Sequence, residues 1–450
     1  MAQAAADDRP LTTNDLVAWF DRGSKPASEW RVGAEHEKFV FRRRSQATVP
    51  YEPQGIKALL DGLTRFGWAP VNEAGKVIAL ERGKANVSLE PGGQFELSGA
   101  PFATMHEIHA ETASHLDEVK AVADELQIGF LGLGYAPTWR RDEIPVMPKG
   151  RYKIMRAYMP KVGGQGLDMM FRTCTVQSNL DFSSEADMVA KFRTSLALQP
   201  IATALFANSP FKEGKPSGFL STRANVWTDT DPARTGMLDF VFKDGFGFET
   251  YANYALDVPM YFAKRGDSYI DLTGHSFRDF IAGKIEALPG ERASMKDWAD
   301  HTTTIFPEVR LKQYLEMRGA DSGPLERLTG LSALWTGIFY DAAALAAAWD
   351  LCKAWKIEDH ERLRADVARH GLKAQIAGRA AQDVARDMLA ISREGLKRRN
   401  HVIDGADEGR YLDALDEIAD SGVTPAERLL ALYHGAWAGD VSKAFETAAY

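Results

Sequence analysis

Two glutamates separated by a single residue, Glu35 and Glu37, are the first feature of this chain that could do chemistry. The alternating pattern from Trp30 to Arg43 predicts a strand around them. On a strand both carboxylates would point to one face, while Lys38 would point to the other. Neighbouring carboxylates repel each other and are costly to bury, so the pair favours a nearby cation. A solvated strand face is the plain alternative.

Three further strand-like segments carry oxygen-bearing side chains at the same spacing. They group Gln94 with Glu96, just after Glu90 and a glycine turn, Gln177 with Asn179 and Asp181, and Glu316 with Arg318. Hard cations such as Mg²⁺ prefer oxygen ligands and often share them with substrate phosphates. The chain offers no cysteine pair and no paired-histidine motif, which disfavours zinc. The joint pattern predicts a site for Mg²⁺ and phosphate.

Arginines supply the complementary charge. Arg223 and Arg318 are the best placed, because a planar guanidinium binds carboxylate or phosphate through two hydrogen bonds. The basic run Arg151–Arg156 could line a phosphate pocket, with a solvated loop as the alternative. Neither of the glycine-rich phosphate-binding motifs, GxxxxGK[ST] or GxGxxG after a strand, occurs in the sequence. A nucleotide would therefore need another architecture.

Composition limits the kinds of protein that this chain can be. It has 450 residues and a net charge of −8, which argues against a nucleic-acid partner because such partners need a concentrated basic face. Cys174 and Cys352 form no disulfide framework, as expected in a reducing compartment. Residues 1–10 lack a signal or transit pattern, and polar residues interrupt the longest apolar stretch, 331–349. We therefore expect a cytoplasmic protein without membrane or nucleic-acid partners.

Helices and strands alternate in the part of the chain that must position these side chains. Helices are predicted from Thr12 or Thr13 to Gly23, over 54–66 and 104–127, from Ser183 or Ser184 to about 207, and over 276–284. Strands are predicted over 77–80, 86–89, 94–97, 128–135, 169–181 and 308–319, and loops over 140–165 and 208–275. The order predicts an α+β fold. We divide it into a tail and helix (1–29), a sheet-and-helix core (30–323), and a helical C-terminal region packed on the same unit (324–450).

Seven segments resemble plant-type glutamate–cysteine ligase. They are residues 33–39, 88–99, 172–177, 227–231, 254–262, 305–310 and 314–321. The likeness extends from about residue 30 to Tyr450 and, without a transit peptide, is to the bacterial branch of that group. It implies a fold similar to glutamine synthetase, in which an antiparallel sheet curved into a funnel holds Mg²⁺ and ATP.

The resemblance also implies the reaction. The γ-carboxylate of L-glutamate would be joined to the amine of L-cysteine, the first step of glutathione synthesis. ATP would convert the carboxylate into γ-glutamyl phosphate, and the amine would then displace phosphate. In-line phosphoryl transfer needs positioning and charge neutralisation, which Mg²⁺ (or Mn²⁺ in its place) and arginines provide. Glutathione would be a candidate feedback ligand.

Individual roles follow from the same resemblance. The implied metal ligands are Glu35, Glu37, Glu90, Glu96, Gln177 and Glu316. Arg318 and Glu316 would be catalytic, with Arg318 on the transferred phosphate. Arg223 would clamp the glutamate carboxylate, and Tyr261 and Trp227 would border the cysteine site. Lys38, Arg151 and Lys153 are predicted to contact the nucleotide.

Other functions stay open at this point. A ligase that joins glutamate or a similar acid to a different amine would keep the same architecture. A glycosidase would use two carboxylates as acid and nucleophile or base, but it leaves Arg223 and Arg318 without a role. A scaffold holding a structural cation would show cation-dependent stability without turnover.

One departure from the plant enzymes concerns their regulatory disulfides. By segment matching, their cysteines fall at His109 and Thr329 and at Leu272 and Ala287. None of these positions is cysteine in this chain. A redox switch of the plant kind, and dimerisation controlled by it, are therefore in doubt.

Overall fold

A large antiparallel sheet is the centre of the structure. The computed structural model describes residues 9–450, so residues 1–8 of the predicted tail lie outside the described range. The strands are β1 (Val32–Arg42), β2 (Ala69–Glu73), β3 (Lys76–Arg82), β4 (Ala85–Leu89), β5 (Phe95–Ser98), β6 (Ile128–Leu131), β7 (Thr175–Leu180), β8 (Phe211–Lys212), β9 (Lys215–Pro216), β10 (Thr235–Gly236), β11 (Phe262–Arg265), β12 (Ser268–Asp271), β13 (Phe306–Pro307), β14 (Val309–Leu311), β15 (Leu315–Asp321), β16 (Gln375–Ile376), β17 (Arg379–Ala380), β18 (Val402–Ile403) and β19 (Ala406–Asp407). The large sheet has the order β14-β15-β7-β1-β5-β4-β3-β2, with β6 also paired to β1.

Helices surround this sheet and make up most of the C-terminal third. They are α1 (Thr13–Asp21), α2 (Ile56–Leu63), α3 (Met105–Leu126), α4 (Gly150–Tyr158), α5 (Gly166–Arg172), α6 (Glu185–Leu205), α7 (Thr222–Val226), α8 (Phe248–Asp257), α9 (Phe277–Ile281), α10 (Met295–Thr302), α11 (Leu325–Phe339), α12 (Ala342–Cys352), α13 (Ile357–His370), α14 (Ala381–Arg399), α15 (Asp413–Ser421), α16 (Pro425–His434) and α17 (Ala444–Thr447). On one face of the sheet, α3, α6 and α11 pack against β1, β7 and β15. The other face is left for the cavity described below.

The register of the central strand β1 fixes which side chains share a face. Glu35 lies opposite Gln177 of β7 and Ser98 of β5, and Glu37 lies opposite Glu96 of β5. Since side chains alternate along a strand, these polar groups form adjacent rows on one face of the sheet. The expected strand from Trp30 to Arg43 and the shared direction of its two glutamates are confirmed.

Several sequence-based element assignments are confirmed, and others are wrong. The helices that begin at Thr12 and Ser184 have those residues as N-caps, as predicted. The loop predicted over 140–165 instead contains α4, and the strand predicted over 169–181 begins with the end of α5. The loops predicted over 208–275 contain α7, α8 and the short strands β8 to β12. Residues 308–319 form most of two strands, β14 and β15, rather than one, and β2 was missed. Helices of seven to nine residues show too few turns for their period to be read from sequence.

The C-terminal helical region shares one apolar core with the sheet. Buried Leu331 and Trp335 of α11 belong to the same cluster as Val176 and Leu180 of β7. Between residues 9 and 450 no single helix is long and apolar enough to span a membrane; only α11 and α12 taken together reach that length and composition, and they meet at 96°. The three ranges proposed from sequence stay a prediction.

Two of the positions that the resemblance matches to plant cysteines, His109 and Thr329, lie in contact. The Nδ1 atom of His109 lies 3.2 Å from the hydroxyl of Thr329, so a polar contact joins α3 and α11 there. The two cysteines of this chain, Cys174 and Cys352, are both free and buried.

We expect the buried residue His301 to make the stability of the folded protein depend on pH. Its Nε2 lies 2.8 Å from the carbonyl oxygen of Ala255, its ring stacks on Phe277, and burial lowers its pKa to about 4 from an ordinary value of 6.5. The unfolded chain binds this proton near pH 6.5, so stability from His301 is complete above that pH and falls until about pH 4. We expect wild type to lose about 2 kcal/mol more than His301→Gln between pH 7 and pH 5 in calorimetric melting. Equal losses in both proteins would contradict this role.

Candidate active site

A cavity of about 800 Å³ lies on the open face of the sheet. Most of the residues predicted for the site line it: Glu35, Glu37, Glu90, Glu96, Gln177, Glu316, Arg318, Arg223, Trp227 and Arg151. The strands β1, β5, β7 and β15 supply the floor, and α4 and α7 supply Arg151 and Arg223 from the sides. Segments far apart in the sequence are thus brought together as the shared spacing predicted.

One end of the cavity is acidic, and nearby cations offset its charge only in part. Each carboxylate accepts a hydrogen bond from the sheet itself: Glu35 from Asn179 Nδ2 (2.6 Å), Glu37 from the Thr175 N–H (2.9 Å) and Glu96 from the Ser88 hydroxyl (3.0 Å). Burial, and then repulsion from neighbouring carboxylates, raises the pKa of Glu35 and of Glu96 to about 7 and that of Glu37 well above its usual range. Ionising these buried carboxylates is unfavourable in free energy, and a bound cation would remove that penalty.

The other end of the cavity is dominated by Glu316 and its cations. Glu316 is fully buried, and it accepts hydrogen bonds from Arg310 Nη2 (2.9 Å) and Arg318 Nη1 (2.8 Å). Burial opposes ionisation, but the charges of Arg310, Lys312 and Arg318 hold the pKa of Glu316 well below its usual range. In contrast to Glu35 and Glu96, this carboxylate is already neutralised by protein groups.

The guanidinium of Arg318 is fixed by its neighbours. Arg318 Nη1, which donates to Glu316, also donates to Gln177 Oε1 at 2.6 Å. The main-chain carbonyl of Arg318 accepts from Arg223 Nη2 at 2.7 Å. The metal-ligand role predicted for Gln177 and Glu316 stays a prediction. Their contacts here orient Arg318 toward the cavity, because they hold one edge of its planar fork and leave the rest of it for an anion.

Five cationic side chains that line the cavity were not predicted from the sequence: Lys25, Arg31, Lys84, Arg310 and Lys312. Of these, Arg310 lies on β14 opposite Glu316, and Lys312 comes directly after the end of that strand, 3.9 Å from the same carboxylate. Their spacing of two residues is the signal that identified Glu35 with Glu37. It could have found this pair if 308–319 had been read as two strands rather than one.

Three predicted residues lie outside the cavity lining. Lys38 is fully buried on the opposite face of β1, 3.3 Å from His36 Nδ1, where burial lowers its pKa to about 7. Lys153 is exposed on the outer side of α4. Tyr261 is fully buried under the guanidinium of Arg234, with its hydroxyl 3.4 Å from Asp231 Oδ2. The structure therefore does not place these three side chains where direct contact with nucleotide or cysteine would be made.

The donors at the acidic end fit a hard divalent cation by their chemistry. Among residues 9–450 no group of three or more His, Cys, Asp or Glu side chains is arranged as a metal site in this conformation. The carboxylates at the acidic end nevertheless offer oxygen atoms only, from adjacent rows of one sheet. Hard cations that keep some of their water, such as Mg²⁺, are bound by such sets.

The chain is similar to known proteins over its whole length. The chain is 56% identical over 449 residues to the chloroplastic glutamate–cysteine ligase of Arabidopsis thaliana, with 100% of this chain and 85% of that protein covered. It is 55% identical over 449 residues to the chloroplastic glutamate–cysteine ligase B of Oryza sativa subsp. japonica, covering 100% and 89%. The expected cytoplasmic location is contradicted, because these relatives are named as chloroplastic. The few residues at 1–10 carried too little information for that inference.

A solved structure shares the fold. The glutamate–cysteine ligase of Francisella tularensis, determined in complex with AMP, superimposes with a TM-score of 0.58 at 14% identity, covering 93% of this chain and 87% of that one. The predicted α+β fold with a glutamine-synthetase-like antiparallel sheet is confirmed. A family model described as glutamate–cysteine ligase family 2 matches residues 31–447. With this match and more than half of its residues shared with the plant enzymes, the chain belongs to the glutamate–cysteine ligase family.

Proposed function

We propose that this chain joins the γ-carboxylate of L-glutamate to the amine of L-cysteine in an ATP- and Mg²⁺-dependent reaction that gives γ-glutamylcysteine for glutathione synthesis. The observation that carries the proposal is the composition of one cavity, in which buried carboxylates with raised pKa lie beside guanidinium groups held by hydrogen bonds. A carboxylate is a poor acyl donor, so it must first be phosphorylated. Phosphoryl transfer then depends on positioning and charge neutralisation, and this cavity is built to supply both.

The residues of the chain have distinct parts in that reaction. Glu35, Glu37, Glu90 and Glu96 would hold Mg²⁺, which when bound supplies positive charge against the phosphate oxygens. Arg318, held by Gln177 and Glu316, offers its free N–H groups to the phosphoryl group as charge develops on it. No nucleophile from the protein takes part in this route. Cys174 is fully buried outside the cavity lining, and burial raises the pKa of its thiol.

Arg223 and Trp227 lie where they could hold the substrates. Arg223 is almost fully buried, it lines the cavity, and its guanidinium is fixed by the Arg318 carbonyl. We propose that it binds a carboxylate of glutamate through its remaining N–H groups. Trp227 is half-buried at the same wall, where its indole can border cysteine. Glutathione feedback, the bacterial branch, and the lack of nucleic-acid and membrane partners stay predictions.

The test is ADP release with ATP, Mg²⁺ and L-glutamate, with and without L-cysteine, followed by product mass. A γ-glutamylcysteine mass that requires every component supports the proposal. Release that needs glutamate but ignores cysteine would exclude cysteine as the acceptor and favour another amine. Absence of ADP release under every combination would contradict the proposal.

Metal binding should also appear in stability. We expect Mg²⁺ to raise the melting temperature of the wild type, because at 100 times its Kd a ligand of the folded state stabilises it by about 2.7 kcal/mol. In Glu37→Gln/Glu96→Gln this rise should be lost, since two oxygen donors of the acidic end lose their charge. Glu81→Gln, an exposed position on β3 of the same sheet, is the matched control and should respond like wild type. The same Mg²⁺ response in all three proteins would rule out a metal at this end of the cavity.

A further inference from the structure

The helix α5 separates the catalytic cavity from a second one. Met169 and Met170 face the catalytic cavity, whereas Asp168 and Arg172 line a separate cavity of about 500 Å³ on the other side. Residues 140–146, Arg156 of α4, and Lys212 with Glu213 complete its walls. The proposed reaction uses none of these side chains, although Arg172 begins one of the sequence segments shared with the plant ligases.

Charge in this second cavity is predominantly positive. Five arginine or lysine side chains and three carboxylates line it, in a protein whose net charge is −8. Asp168 is almost fully buried and has Arg172 Nη1 at 3.3 Å, Lys212 Nζ at 3.5 Å and Arg141 Nε at 3.9 Å. One carboxylate thus faces three cations, two of them at distances too long for strong hydrogen bonds. Arg141 and Lys212 are partly exposed and can turn toward a ligand.

Arg172 gives the second, independent observation. Its side chain is only 2% exposed and stacks on Tyr135, with Cζ 4.9 Å from the ring centre. Nη1 also reaches Glu213 at 2.9 Å, but Nε and Nη2 are buried and have no hydrogen-bond partner. A buried, charged donor without an acceptor is costly, because it gives up its bonds to water and gains none.

We propose that this cavity, formed by α5, residues 140–146 and residues 212–213, is a binding site for a small oxyanion. A phosphate or carboxylate group supplies several acceptor atoms and negative charge, so it can pair with Arg141 and Lys212 at the mouth and accept from the unmet donors of Arg172. The ligand is thus a tetrahedral or planar oxyanion, either phosphate or a carboxylate group of a dicarboxylate.

The experiment is calorimetric titration of inorganic phosphate, and separately of succinate, into three full-length proteins. Arg141→Gln/Lys212→Gln removes two cations at the mouth and leaves buried Arg172, whose loss could prevent folding. Arg386→Gln/Arg398→Gln removes two similarly exposed arginines from α14 and matches the change in net charge. Any phosphate in the catalytic cavity binds equally in all three and cancels in the comparison.

We expect wild type and the control to bind one oxyanion more than Arg141→Gln/Lys212→Gln, or to bind it about tenfold or more tightly. A response to phosphate alone identifies a phosphate site, and a response to succinate alone identifies a carboxylate site. Isotherms that are the same in all three proteins, or no binding of either anion to wild type, would overturn the proposal.

Discussion

Glu96→Gln should reduce kcat by about 10²- to 10³-fold while the protein stays folded. The substitution keeps the shape of the side chain but replaces a negatively charged oxygen with an amide at the centre of the acidic rows. Glu96 lies opposite Glu37, and the glutamine can still accept the hydrogen bond from Ser88. Because one of several crowded negative charges is removed, the melting temperature of the metal-free protein should not fall. Steady-state ADP release and calorimetry measure the two quantities.

Glu81→Gln again provides the comparison, since Glu81 lies on the same sheet but is exposed. It should retain wild-type kcat. Wild-type turnover in Glu96→Gln at ordinary Mg²⁺ concentration would remove Glu96 from the metal site. A fall in kcat accompanied by a large loss of melting temperature would instead point to damage of the sheet.

Arg318→Lys should lower kcat more than it raises the KM for glutamate, with an expected fall of about 10²-fold. Lysine keeps the charge but loses the planar fork. In the wild type, the Nη1 atom of Arg318 bonds to both Gln177 and Glu316, which leaves the other N–H groups for the substrate. A lysine ammonium that satisfies those two acceptors has fewer hydrogens left and no fixed second point of contact.

Arg399→Lys is a matched control for this substitution. Arg399 has the same 12% side-chain exposure as Arg318 and also pairs with a buried carboxylate, Glu408, but it lies in the C-terminal helices away from the cavity. Its kcat should stay at the wild-type value. A change in Arg318→Lys confined to KM would mean that Arg318 binds substrate without acting on the transferred phosphate.

The part of the fold that sequence predicted best is the part with strong local signals. Thr12 and Ser184 bond to backbone groups three residues ahead, and such caps can be recognised from residue type and spacing alone. In contrast, the end of α5 was predicted to begin a strand. Its seven residues include two adjacent methionines and a phenylalanine, and so short a segment does not distinguish the helical period of 3.6 residues from the strand period of two. The pairing order of the sheet is a non-local property, and no local pattern encodes it.

For the candidate site as well, local patterns could be predicted from the sequence and non-local ones could not. The i, i+2 spacing placed Glu35 and Glu37 on one face, and the same rule puts Lys38 on the opposite face, away from the nucleotide that it was predicted to contact. The sequence could not show that Glu96 and Glu316 lie in different electrostatic surroundings. Burial and neighbouring carboxylates outweigh the charges of Lys149 and Arg151 at Glu96, whereas Arg310, Lys312 and Arg318 keep Glu316 ionised. That contrast depends on neighbours joined only in three dimensions.

The order of strands in the sheet also bears on how the protein is made. The floor of the cavity joins β1 and β5, near the N-terminus, to β7 and finally to β15. During synthesis from the N-terminus, Glu35, Glu37 and Glu96 emerge from the ribosome long before Arg310 and Arg318. Closing such long loops is entropically costly. In addition, β1 cannot complete its pairing until β7 has been synthesised, and β7 cannot complete its own until β15 follows. The nascent chain therefore carries the negative charges of the site first, and a period of exposed, unpaired strand edges precedes the arrival of its last arginines.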